Sequence, residues 1–198
     1  MRSTLRLIRK VRRVLASLPL AAILVGCAGS SSKPSDTFFE NMTALCGQTV
    51  SGNVISEQEV DADWRASDLV VGPVTCERDI IRLPLAVGED TSRTWVLSRM
   101  DGDLIFRHEH VEPDGSPSAV TQYGGAAREG GTASRQDFPA DAATKANFQE
   151  NGLTASLPNV WTLSLDNDQL LYALARPATN TDPARDFRAA FPLNVKPK

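Results

Sequence analysis

Residues able to carry chemistry are scarce in this sequence. Only three cysteines and two histidines occur among 198 residues, and no two cysteines stand in Cys-x-x-Cys spacing, which removes the usual ligand layout of a structural zinc site. No Gly-x-Ser-x-Gly is present, so the strained turn that carries the nucleophile of many serine hydrolases is missing. The glycines at Gly124, Gly125, Gly130 and Gly131 are not followed by the Gly-Lys-Ser or Gly-Lys-Thr of a phosphate loop, and the stretch reads as a mobile connection. Acidic residues are plentiful, yet nothing marks two of them as the acid and base of glycoside cleavage. The longest apolar run, residues 14–26, falls short of the roughly 20 residues that a spanning helix needs. These absences argue against an enzyme, and the sequence implies no cofactor.

What is present begins at the amino end. Six basic residues and no acidic ones precede the apolar run, the layout of an export signal. Leu24, Val25, Gly26 and Cys27 close that run, and a small residue directly before a cysteine resembles the lipobox of bacterial lipoproteins. The resemblance implies that the Cys27 thiol receives a diacylglycerol and that the bond before it is then cut. Residues 1–26 are thus expected to be a signal peptide, 27–35 a lipidated, flexible tether, and 36–198 a single β domain. Ala28 in place of Asp resembles lipoproteins sorted to the outer membrane, which implies a lipid anchor there, facing the periplasm, with the inner membrane or the cell surface as the alternatives.

Removing the leader changes the charge. It holds six of the 21 basic residues and none of the 24 acidic ones, leaving 15 against 24, or net −9. Nucleic acid and anionic head groups both select clustered Lys and Arg, so an acidic body argues against nucleic acid as a partner and leaves bilayer attachment to the Cys27 lipid. With Cys27 acylated, Cys46 and Cys76 remain as an even pair bound for an oxidising compartment, and a disulfide between them is expected. Closing a loop of that length contributes about 3 to 4 kcal/mol by chain entropy.

The body reads as mainly β. Ser35 or Asp36 can cap a first short helix in which Phe38, Phe39, Met42, Leu45 and Cys46 recur at helical spacing until Gly47. Thereafter the texture turns to period two. Residues 49–56 form a first strand, a polar spacer covers 57–67, and 69–76 and 80–87 form a pair in which Pro73 and Pro84 mark an edge, a bulge or a strand end. Asp101-Gly102 and Asp114-Gly115 are hairpin dipeptides. Symmetric turns would pair Trp95 with His108, Leu97 with Phe106, Phe106 with Tyr123 and His108 with Thr121, all on one inner, aromatic face. A later hairpin sets Trp161, Leu163 and Leu165 against Leu170, Tyr172 and Leu174 around Asp166-Asn167-Asp168. A second short helix precedes it, from Asp141 through Phe148 to Gly152, and a last strand follows with Phe187, Ala189 and Phe191 inward.

The fold class is therefore mainly β, an antiparallel meander barrel or a sandwich of roughly 8 to 10 strands with two short helices. The passage of a helix through Leu45-Cys46-Gly47 into a strand resembles calycin-type barrels such as lipocalins, although the lipocalin Gly-x-Trp signature is absent. Residues 88–95, His108-Glu109-His110, Tyr123-Gly124-Gly125 and Phe138-Pro139-Ala140-Asp141 resemble an uncharacterised family of bacterial exported proteins and lipoproteins. That resemblance implies export and no particular activity.

Three functions follow. The first is a non-catalytic interaction or structural module of the envelope, its partner another envelope protein. The second is a small-ligand carrier whose cavity is lined by Trp95, Phe106, His108 and Tyr123. The third is a metal-dependent enzyme in which His108 and His110, two apart on one strand, present two nitrogens to one ion with Glu112, Asp114 or Asp90 as a third ligand. Two strand histidines beside Trp95 and Arg93 are more often packed structural groups. A barrel of about eight strands either fills with side chains or holds one small ligand, so a cavity above roughly 300 Å³ reached from the glycine-rich loop would favour the carrier. Mass spectrometry of the native product is expected to find an acylated Cys27 as the first residue, and Cys27→Ala, which removes the acceptor thiol, should leave the leader uncut and the protein without acyl chains. Finding Met1 still attached would refute the anchor.

Overall fold

The computed structural model describes residues 32–166 and 168–193. The expected signal peptide, Cys27 and most of the expected tether lie outside the described residues, as does Asn167 of the last hairpin turn. Pro34 at the first helical position and Asp36 in the first turn start α1 (Pro34–Met42), where a fixed φ and a negative charge suit a helix amino end. A single tighter turn carries it to Leu45, and Gly47 at φ 77° ends it. Phe38, Phe39, Met42 and Leu45 are all buried.

Beyond Gly47 come β1 (Val50–Val54), a short α2 (Ala62–Arg65), β2 (Leu69–Val71), β3 (Thr75–Cys76), β4 (Ile80–Val87), β5 (Asp90–Met100), β6 (Asp103–His110) and β7 (Tyr123–Ala126). After them follow β8 (Arg135–Pro139), α3 (Ala142–Glu150), β9 (Val160–Leu165), β10 (Gln169–Arg176) and β11 (Arg185–Pro192). Every pairing is antiparallel, in the order β7-β6-β5-β4-β2-β1-β11-β10-β9-β8, with β3 also on β4. The result is a nearly closed barrel of 11 strands, an architecture compatible with the calycin resemblance. The expected two helices are three, because the spacer read as polar hides α2, whose Trp64 packs edge-on against Phe187 at 5.3 Å.

The seam between β7 and β8 is bridged by Arg128 N–H to the Asp137 carbonyl (2.9 Å) and Asp141 N–H to the Gly124 carbonyl (3.0 Å). Gly124 and Gly125 of the glycine-rich stretch, read as a mobile connection, are therefore strand residues. A Cβ on Gly125 would lie 2.0 Å from the Pro139 carbonyl oxygen, and one on Gly124 would lie 1.9 Å from that of Phe106. Only glycine at 125 lets the β7 and β8 edges approach this closely, and only glycine at 124 lets β7 lie so near β6. From α3, the Thr144 hydroxyl accepts from Gly124 N–H and donates to its carbonyl, both at 2.8 Å, while Asp141 caps the helix by accepting from Thr144 N–H.

Cross-strand pairs follow the expected pattern on β5 and β6, with Trp95 opposite His108 and Leu97 opposite Phe106. On β7 the register differs. Tyr123 faces His108 and Gly125 faces Phe106, because the Asp114-Gly115 turn closes only a small loop bridged at Val111 and Pro117. The shift is two residues, so the face of every side chain is preserved. Pro73 falls in the break between β2 and β3, and Pro84, whose carbonyl accepts from Gly72 N–H, lies opposite that break. The last hairpin pairs Trp161, Leu163 and Leu165 with Leu174, Tyr172 and Leu170 as expected, and Phe187, Ala189 and Phe191 point inward.

The two ends of the barrel differ. At the end holding the Gly102 turn, α1 forms a plug: Lys33 Nζ donates to the Gly102 carbonyl (3.0 Å), Asn41 Nδ2 to that of Ala133 (2.9 Å), and Arg99 pairs with Glu40 (2.6 Å). Cys46 and Cys76 are joined, with Cα atoms 5.8 Å apart, which ties this plug to β3. Full burial of each plug side chain contributes about 1.5 to 3 kcal/mol. Gly125→Ala should destabilise the protein by about 3 kcal/mol, the upper part of the overpacking range, seen in urea unfolding. A change below about 0.5 kcal/mol, the usual level for a neutral surface substitution, would show that the seam does not depend on this close approach.

Candidate functional site

At the end opposite the plug, where β5 and β11 begin and β6 ends, the barrel holds a cavity of about 300 Å³. All three tryptophans of the chain, Trp64, Trp95 and Trp161, line it together with Tyr123, Tyr172 and His108. Alternation on the strands turns all of these side chains inward except Trp64, which comes from α2. Trp95 stacks on Tyr172 with ring centres 4.3 Å apart, and His108 stacks on Tyr123 at 4.5 Å. The cavity is reached from this end and not from the glycine-rich loop, the access named as favouring a carrier. Residues 127–131 instead border a separate hollow of about 360 Å³ beside Lys33 and Gly102, which has no aromatic lining.

Of the expected lining residues, Trp95, His108 and Tyr123 take part. Phe106 does not: it is fully buried below the floor, packed between His108 (4.7 Å) and Phe138 (5.2 Å). Trp161 and Tyr172 are legible as inward positions of the last hairpin, and Arg185 opens the last strand in phase with the inward Phe187, whereas Trp64 gives no periodic signal.

His108 fixes the floor through two hydrogen bonds. Its Nδ1 lies 3.1 Å from the Tyr123 carbonyl and its Nε2 lies 3.0 Å from the Tyr172 hydroxyl. A carbonyl can only accept, so Nδ1 carries the proton, Nε2 is the acceptor, and Tyr172 donates. Burial drives the histidine pKa down to about 3, against a smaller upward effect of the Tyr123 carbonyl, and burial raises that of Tyr172 well above its usual value. Both groups are neutral across the physiological range.

This geometry bears on the two-histidine metal site. The lone pair His108 would offer already accepts from Tyr172. Asp114 accepts from the Ser116 N–H (2.9 Å) and hydroxyl (2.6 Å) within its own turn, and Asp90 is taken up by Ser92 and Arg93. His110 shares the strand but does not line the cavity. Among the described residues no three potential ligands converge.

Three charged side chains line the cavity: Asp61, Arg93 and Arg185. Asp61 is 1% exposed and is held by Arg185 (Nη1 to Oδ2 3.0 Å) and the Ser56 hydroxyl (3.1 Å). Removing one partner of such a buried pair costs about 3 to 5 kcal/mol, so Arg185 is committed. Arg93 differs. It pairs with the exposed Asp90 and lies over the Trp64 ring, 5.4 Å from its centre, and an exposed pair is worth only about 0 to 1 kcal/mol. Asn159 also lines the cavity, and its Oδ1 is buried with no hydrogen-bond partner.

Compared with known families, curated proteins and solved structures, the chain finds no match.

The neutral histidine has a pH signature. The unfolded imidazole titrates near 6.5 and the folded one near 3, so between these values the unfolded chain binds the extra proton and stability falls with acidification, by up to about 5 kcal/mol at 1.4 kcal/mol per pH unit. Above pH 6.5 this contribution is constant. His108→Phe should lower stability at pH 7 by about 1 to 3 kcal/mol, since it strands the Tyr172 hydroxyl and the Tyr123 carbonyl, and should flatten the dependence between pH 6.5 and 4 in urea unfolding. Parallel pH profiles in the two proteins would contradict a buried neutral histidine.

Proposed function

We propose that this protein is a lipid-anchored envelope protein whose barrel holds one small, mainly apolar molecule at its open end and does not transform it. The observation that carries the reading is the aromatic cavity of about 300 Å³, at the lower end of the size range of small-molecule sites. A barrel serving only as a structural module gains by filling such space, because unfilled apolar volume costs stability. Asn159 supports the same reading: a buried polar atom without a partner is uncommon, and here it belongs to a side chain that lines the cavity. Binding without turnover is favoured because His108 and Tyr172 are each spent on holding the other.

Attachment is assigned to the acyl chains on Cys27, with the outer membrane, periplasmic side, as its place. Among the described residues no helix is long and apolar enough to cross a membrane. The Cys46–Cys76 bond suits the oxidising periplasm, and the body's excess of acidic over basic residues leaves the lipid to make the attachment.

The test is calorimetric titration of the mature protein in lipid nanodiscs with 1-naphthalenemethanol, empty discs serving as the blank. Saturable one-to-one binding is expected, and Leu174→Trp, which fills the cavity from its wall, should weaken it at least tenfold. No saturable heat with this alcohol or with its charged analogues of the same shape, or equal affinity in the filled variant, would refute a ligand site.

A further inference from the structure

The polar groups around the cavity separate ligands by charge. Of its two lining arginines, Arg185 is locked to buried Asp61, and only Arg93 can turn to something else. Its partner is built to let go. Asp90 Oδ1 accepts from the Ser92 N–H (2.9 Å) and hydroxyl (2.6 Å), and Arg93 engages only Oδ2. If the guanidinium leaves, Asp90 keeps two hydrogen bonds and, 44% exposed, regains water. Asp90 itself does not line the cavity, so a ligand there meets the positive side of the pair and not the negative one.

Resting on the ligand-binding reading, we propose that the occupant is an organic anion, an aromatic or compact apolar body bearing a carboxylate that takes the place of Asp90 on Arg93. A planar guanidinium matches a carboxylate with two parallel hydrogen bonds. The aromatic walls alone would also suit a cation, but Arg93 already covers the face of Trp64, and a second positive charge beside it is repelled. The body of the ligand lies among Trp95, Trp161 and Tyr123, and its charge stays at the mouth, where water remains and desolvation is least.

The experiment compares three probes of one shape in the nanodisc-borne protein by calorimetry: 1-naphthoate, 1-naphthalenemethanol and 1-naphthylmethylamine at pH 7. Naphthoate should bind at least tenfold more tightly than the alcohol, and the amine more weakly than both. Arg93→Gln should reduce the preference for naphthoate over the alcohol below threefold. Asp90→Asn should strengthen naphthoate binding about threefold, because it removes the competing carboxylate, with the alcohol unchanged. Glu40→Gln, the same loss of charge on the plug at the far end, should alter neither. Equal or tighter binding of the alcohol or amine, a preference that survives Arg93→Gln, or no gain in Asp90→Asn would overturn the anion assignment while leaving a ligand site standing. Failure of all three probes to bind would remove the site itself.

Discussion

A single uncharged imidazole spans the interior of this barrel. His108 stands on β6 and Tyr172 on β10, strands far apart in the sheet order, and the hydrogen bond between them (3.0 Å) joins the two walls. Its direction follows from the Tyr123 carbonyl, which claims the only proton that a neutral imidazole carries. The net gain from such a bond is modest, about 1 kcal/mol, but leaving either partner buried and unpaired costs about 1 to 3 kcal/mol. The bond therefore sets the separation of the walls more than it deepens the well. Trp95 and Tyr123 stack on its two members, and the floor of the cavity is the upper surface of this group.

The rest of the structure keeps that arrangement in place from both ends. Below, α1 with its disulfide and the Arg99 ion pairs closes the barrel. At the side, Gly125 lets β7 and β8 come together, and Thr144 holds the neighbouring Gly124. Above, α2 brings Trp64 and Asp61 to the rim, where Arg185 and Arg93 meet them. One end is thus sealed by α1 while the other is aromatic and open, with Arg93 at its mouth. The chain enters the domain at the sealed end, where Lys33 reaches Gly102.

Local rules made much of this legible. Period-two alternation with Asp-Gly turns located β5, β6 and the last hairpin and identified the inner face, because pleating leaves no freedom about which side a residue takes. The Cys46–Cys76 bond was readable from an even cysteine pair behind an export-type leader. What escaped was set by tertiary contact. The glycines at 124 and 125 look like a linker unless the edge they approach is known. The Asp114-Gly115 turn proved to close an inner loop, which moved Tyr123 from Phe106 to His108. Two histidines in His-x-His spacing resembled a ligand pair, yet the residue that decides the role of His108 is Tyr172, 64 positions away, and no spacing rule reaches that far. Phe106 shares the inner face with the cavity residues, but depth along the barrel, which separates floor from core, is not a property of alternation.

The central claim is that His108 is neutral, protonated on Nδ1, and accepts from Tyr172 through Nε2. Nitrogen-15 NMR of the imidazole reads all three at once. The account predicts a protonated Nδ1 and an unprotonated, hydrogen-bonded Nε2, unchanged from pH 7 to pH 4. A proton on Nε2, or an imidazolium spectrum developing near pH 6, would contradict it.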